Sequence, residues 1–238
     1  MQNQHVFMGD LTRREFREAL AEGKFQTAII PTGSIEQHLE HLAMEHDIRM
    51  ATHVAEQTAR QLYPQVIVTL PIRAGISEHH MRHQGTVSAK PGPWLSVVFD
   101  AVESLIRHGV KNVLILNGHG GNEAPMGGII GQWHLYFAAE ASEASVQFHS
   151  YWDLSRPEAE KLCKGGVPGH AQEYETAMAL AVCPHNVRVE AMHDQDDRSP
   201  LDASAEQGQK LVDAAVNATR RYVEEMIAGK HRAAVNPE

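Results

Sequence analysis

Hydrophobic positions along the chain fall into two alternating spacings. Short β-branched runs at Thr27-Ala28-Ile29-Ile30, Gln65 to Leu70, Val113 to Leu116 and Ser145 to Phe148 read as buried strands. Between them lie longer stretches with helical spacing. Ile48 to Leu62 is one, and Trp94 to Arg107, opened by Pro91 and Pro93 and closed by Gly109, is another. Glu123 to Ala139 forms a third, its start blurred by Gly127, Gly128 and Gly131. Later helices are predicted over 172–182 and 202–228, the second capped near Asp202 and ended by Gly229. Strands alternating with helices predict a mostly parallel sheet covered on both faces. Ligands of such sheets bind beyond the carboxyl ends of the strands, so the residues after Ile30 and Leu116 become the candidates for function. There is no internal repeat, low-complexity segment or linker. Residues 1–238 therefore read as one domain, with 233–238 expected to be a loose tail.

A chain of 238 residues can bury a sizeable core. Its formal charge of −9 repels phosphate backbones and anionic headgroups, which disfavours a nucleic-acid or membrane partner. No apolar run approaches the roughly 20 residues that span a bilayer. Met1 to Leu11 lacks the basic start and apolar core of a signal peptide. Cys163 and Cys183 do not suggest a disulfide framework, so a reducing, cytoplasmic setting is the simpler expectation. The 16 histidines are many, and several stand close to carboxylates.

The first candidate loop runs from Pro31-Thr32-Gly33-Ser34-Ile35-Glu36-Gln37-His38 to Glu45-His46-Asp47. If the chain stays extended past Gly33, Glu36 and His38 point to one side and can flank a divalent cation. Asp47 arrives where the next helix starts, either as its N-cap or as a further ligand. His41 and His46 are expected behind the site or at the surface. The second loop, Asn117-Gly118-His119-Gly120-Gly121-Asn122, follows a strand directly. Its glycines let the chain turn sharply and carry His119 close to a neighbour. A phosphate-cradling loop is the rival, but the spacing is not G-x-G-x-x-G and no lysine follows. In the third segment, Gly169 to Thr176, His170 and Glu173 would share one face of a first helical turn; the alternative is an acid-rich helix start favoured by the dipole. The fourth, Gly75 to Thr86, holds His79, His80, Arg82 and His83, and reads equally as a pocket wall or a polar surface loop.

Together these segments resemble the creatininase family, the creatinine amidohydrolase-like metal hydrolases, in order over residues 28–185. The match rests on Pro31 to His38 with Asp47 behind it, on Asn117 to Asn122, and on His170 to Thr176, with a weaker one at Gly85-Thr86-Val87-Ser88. The resemblance implies a three-layer α/β/α sandwich and two divalent ions per subunit, zinc or manganese with iron also suited. It also implies a homo-oligomer, frequently a hexamer, acting on a small molecule. Carried over by position, Glu36 and His119 would hold one ion, His38 and Glu173 the other, and Asp47 would bridge them. A hydroxide between the ions would attack, His170 would pass a proton to the departing group, and Glu175 would orient His170 or a neighbouring loop. No separate organic cofactor is implied.

Departures from the family pattern bear on the substrate. Leu39-Glu40-His41-Leu42-Ala43 stands where Gly-Pro-His-Leu-Pro is usual, and His83-Gln84 where Phe-Pro is usual. Enzymes acting on creatinine carry a Tyr-Glu pair after the loop histidine and a Glu before the later one; here those places hold Gly120-Gly121 and Gly169, which argues against creatinine. Glu40, His80, Arg82, His83 and Gln84 are candidates to line a more polar pocket. Hydrolysis of a C–N bond in a small, cyclic amide is the leading expectation. Hydrolytic C–C cleavage of a cyclic β-diketone, such as an oxidised sugar or inositol, uses the same centre. A non-catalytic metal or small-molecule binding module and a dinucleotide-binding oxidoreductase are the remaining alternatives.

Overall fold

The computed structural model of the chain describes residues 4–232; the tail expected over 233–238 lies outside them. The first helix, α1 (Arg13–Ala21), has no counterpart in the sequence reading. Thr12 and Glu15 close a capping box over its start, each side chain accepting the other's backbone N–H. Then follow β1 (Thr27–Thr32), α2 (His46–Gln61), β2 (Val66–Val68), α3 (Pro91–Arg107) and β3 (Asn112–Asn117). The expected 123–139 helix divides at Gly128 and Ile129 into α4 (Glu123–Gly127) and α5 (Ile130–Glu140). Next come β4 (Ser145–Ser150) and α6 (Tyr151–Leu162), a second helix the pattern hid, since Pro157 interrupts its interior. The chain closes with α7 (Glu173–Val182) and α8 (Ala205–Ile227). Ser204, not Asp202, caps α8, in a box with Gln207, because Ser199–Asp202 is already a separate 3-10 turn.

The strands lie in the order β2-β1-β3-β4, all parallel, with Thr27 opposite Val66 and Asn112, and Asn112 opposite Ser145. Period-two alternation divides their side chains between two cores. Ile29, Val66, Val68, Leu114 and Leu116 point toward α2, α6, α7 and α8. Ala28, Ile30, Ile67, Val113, Ile115 and Val146 point the other way, toward Trp94, Val98 and Val102 of α3 and Trp133 and Phe137 of α5. The result is a three-layer α/β/α sandwich whose central strands end at the two candidate loops. Among the described residues, no helix is long and apolar enough to cross a membrane.

The closest packing on the first face is between α7 and α8. At Gly208 of α8 a Cβ would be driven into the backbone carbonyl of Ala177. Alanine would improve helix propensity by about 1 kcal/mol, but the clash is with backbone and cannot be relieved by a rotamer. We expect Gly208→Ala to be destabilising by about 2 kcal/mol or more, read as a lower urea midpoint at unchanged slope.

Candidate metal centre and its pocket

The first turn of α2 settles onto the carboxyl ends of β1 and β3 because two positions there carry no side chain. A Cβ on Gly33 would lie 2.5 Å from the backbone N and Cα of Ile48, and one on Gly118 would strike the carbonyl oxygen of Asp47. Glu45, not Asp47, is the N-cap residue. Asp47 sits inside the first turn, where the helix dipole favours a carboxylate, and its side chain is buried.

Each oxygen of that carboxylate meets a different imidazole. Oδ1 lies 2.9 Å from Nε2 of His38, and Oδ2 lies 2.9 Å from Nδ1 of His119. The far nitrogen of each ring faces a carbonyl, which only accepts: Nδ1 of His38 donates to the Glu36 carbonyl at 3.1 Å, and Nε2 of His119 to the Ile76 carbonyl at 3.1 Å, with the Ser77 hydroxyl, free to accept as well, 3.2 Å from the same nitrogen. The nitrogens facing Asp47 are therefore lone pairs whenever the rings are neutral. Glu175 Oε2 stands 3.8 Å from His38 Nε2, and Glu36 Oε1 stands 3.4 Å from His119 Nδ1. Close as these groups are, Oε2 of Glu36, Nε2 of His38 and Oδ2 of Asp47 have no aligned hydrogen-bond partner.

Such convergence of acceptors calls for positive charge. Burial opposes a charge on His38 and His119, but the facing carboxylates outweigh it and raise the rings to about 9 and about 10. Burial likewise works against the Asp47 carboxylate, which the two imidazoles nevertheless hold far below its ordinary range. Glu36 is lowered, with His119 overcoming burial, whereas burial prevails at Glu175 and pushes it up to about 8. The asparagines of the second loop hold His119 in place. Asn117 donates to the His119 carbonyl at 2.7 Å and accepts its N–H at 3.2 Å, while Asn122 accepts the Ile76 N–H at 3.0 Å.

The third segment departs from its expected geometry. Ala171 adopts φ +53° and α7 begins only at Glu173, so His170 and Glu173 do not share a helical turn. His170 still reaches the cluster, its Nδ1 3.7 Å from Glu36 Oε1 and its ring 4.6 Å from that of His38. Glu173 does not. Its Oε2 accepts the N–H groups of Lys164 and Gly165 at 2.8 and 3.0 Å, and its Oε1 accepts the Gln207 amide at 2.6 Å. The carboxylate that α7 brings to the site is Glu175, which also accepts the Ala171 N–H at 2.6 Å. Two residues along a helix is a rotation of about 200°, so these acids face opposite ways.

The fourth segment lies partly on the pocket. His80 lines it, as does His79, whose ring stacks 5.8 Å from that of His119; the sequence reads this loop as a pocket wall or a surface loop, without His79 among the side chains singled out to line it. Arg82 and His83 do not; both are exposed, with Arg82 donating to the His83 ring at 3.2 Å. His41 is buried behind the site against Thr176 and Gln195, and burial drives the buried His46 down to about 3. The cavity over the cluster measures about 510 Å³ and is lined by imidazoles, the carboxylates of Glu36, Asp47 and Glu175, the glycines of the second loop and Trp152, with no lysine or arginine among these described residues.

The sequence and the fold have counterparts among known proteins. The creatininase family profile, described as creatinine amidohydrolase, matches residues 9–201. Creatinine amidohydrolase of Pseudomonas putida is 28% identical over 203 residues, 79% of this chain and 76% of that protein. A mycofactocin precursor peptide peptidase of Mycobacterium tuberculosis is 29% identical, over 73% of this chain and 64% of its own. The 3-dehydro-scyllo-inosose hydrolase of Thermotoga maritima is 29% identical, over 82% of this chain and 62% of its own. A crystal structure of creatinine amidohydrolase superposes with a TM-score of 0.81 at 24% identity, covering 94% of this chain and 99% of that one. Other creatininase structures with the same fold are described as of Zn-Zn type and as the Mn form. This chain belongs to the creatininase family of hydrolases.

Proposed function

We propose that this hydrolase holds two divalent ions and cleaves the C–N bond of a small, polar, cyclic amide. The observation that carries the reading is the Asp47 carboxylate set between two imidazoles, each anchored through its far nitrogen on a backbone carbonyl. That anchoring is the usual second support of a metal-ligating histidine. The buried acceptors without aligned partners fit cations better than they fit one another. In this reading Glu36 and His119 would hold one ion, His38 and Glu175 the other, and Asp47 would be shared between them. Glu173 keeps its tether and holds no ion. Mixed carboxylate and imidazole donors suit zinc, manganese or iron.

Cations at these ligands would supply Lewis-acid polarisation of a carbonyl and acidification of an attacking water. The chain itself does the rest. Gly33 and Gly118 keep the ligand-bearing turn close, and the Glu175 bond to the Ala171 N–H fixes the bend that carries His170. His170, packed between His38 and His80 and one-third exposed, stands between the buried ligands and solvent, where we place the departing atom. His79 and His80 supply the polar wall. Gly120, Gly121 and Gly169 leave it without the side chains expected for creatinine. C–C cleavage of a hydroxylated cyclic β-diketone is the second reading, favoured by this imidazole-lined cavity and by the inosose hydrolase among the relatives. We also infer a homo-oligomer, and a reducing cytoplasm as the setting that suits two free thiols.

Elemental analysis of protein purified without chelator or a His-tag is expected to give about two ions per chain, as such two-metal sites hold. Less than one, with none taken up from added zinc or manganese, would overturn the reading. Asp47→Ala and Glu175→Ala should lose metal. Glu173→Ala should retain it, while losing about 1–3 kcal/mol of stability as three donors are left without their acceptor. His170→Ala should keep its metal and lose about 10²- to 10⁴-fold in turnover; a near wild-type rate removes it from the mechanism. A panel of lactams run against polyhydroxylated cyclic β-diketones decides between the two bonds.

A further inference from the structure

The amide of Gln37 stands where three loops meet, and nothing above uses it. Its Oε1 accepts the N–H of Leu39 at 3.0 Å, in a turn where Leu39 takes φ +55°. A backbone N–H can only donate, so this bond fixes which end of the amide is oxygen and turns the nitrogen the other way. That nitrogen lies 2.7 Å from Nε2 of His170 and 3.0 Å from Nδ1 of His80. An amide NH₂ carries hydrogens and no acceptor, so both ring nitrogens must accept. An imidazolium has no lone pair to accept with, and a neutral imidazole has only one. Each ring is thus neutral, with its proton on the nitrogen that Gln37 does not touch.

Those other nitrogens converge. Nδ1 of His170 and Nε2 of His80 stand 3.7 and 3.8 Å from the same atom, Oε1 of Glu36. The rings stack with centroids 4.4 Å apart, and turning either one over would put a carbon in place of the nitrogen that faces the Gln37 amide. Gln37 is itself tethered, its backbone N–H donating to Thr86 Oγ1 at 3.2 Å.

We propose that Gln37 is a positioning residue that locks His170 and His80 as neutral tautomers of opposite kind, both presenting an N–H to the Glu36 side of the pocket. The inference rests on the reading of His170 as the group beside the reacting bond, and it narrows that role. A ring held this way offers a hydrogen and not a lone pair, so it steadies negative charge growing on a substrate oxygen or nitrogen. It does not take up a proton at Nε2 while Gln37 donates there. The substrate face it meets is therefore rich in acceptors, such as carbonyl or hydroxyl oxygens.

The test is a long-range proton–nitrogen correlation spectrum of zinc-loaded protein labelled with ¹⁵N-histidine, near neutral pH. His170 is expected to be protonated at Nδ1 alone and His80 at Nε2 alone. In Gln37→Glu a carboxylate faces the same nitrogens and can only accept, so both patterns should invert. In Gln37→Leu the preference should be lost and both rings should show mixed tautomers. A wild-type His170 protonated at Nε2, or patterns unchanged in Gln37→Glu, would overturn the proposal. Should a variant fail to fold, the wild-type spectrum still decides. Metal content of the same samples keeps the two readings apart. Reversed tautomers with full metal sink only the role of Gln37, and the stated tautomers in a chain that takes up no metal sink only the two-ion centre.

Discussion

Everything at this site depends on how closely the first turn of α2 approaches the ends of β1 and β3. The approach exists because Gly33 and Gly118 have no Cβ to keep the backbone of Asp47 and Ile48 away. It brings one carboxylate within 2.9 Å of imidazoles from two different strand ends. From that contact follow the raised histidines, the suppressed Asp47 and the unpaired acceptor atoms. Buried like charges and lone pairs cannot be left facing each other without a cation between them. The proton the free chain would hold there and the metal we propose answer the same electrostatic demand.

The architecture was legible because strand and helix periods differ so clearly. Runs such as Val113 to Leu116, buried on both faces, predict a parallel sheet, and the crevice rule then points to the loops carrying Glu36, His38 and His119. Two helices escaped for opposite reasons. α1 is short, has no fully buried residue, and announces itself only through the Thr12–Glu15 capping box. α6 carries Pro157, which reads as a break although the helix continues through it.

At the site, loop motifs translated well and helix spacing did not. The expectation for Glu173 assumed that the helix had begun by His170. The positive φ of Ala171 delays it to residue 173 and gives Glu175 the place at the cluster. A non-glycine residue in the left-handed region has no strong sequence signal. In the fourth segment the sequence does not separate the polar side chains that face the cavity from those that do not; in the fold, a short turn at Glu78–His80 carries the two that line it, and a bridge between Ile35 and Val87 holds the far end of the loop. His79, though exposed, and the half-buried His80 line the cavity, while Arg82 and His83 do not.

The opposed acids of α7 make that helix a torsion bar. Glu173 grips the loop at Lys164–Gly165 and Gln207 of α8, while Glu175 on the far side reaches His38 and Ala171. No rotation about the helix axis can move one carboxylate and leave the other at rest. Glu175 thus shares its helix with an acid tied to α8, which does not line the cavity. Through Gln207, α8 is thereby joined to a centre to which it supplies no side chain.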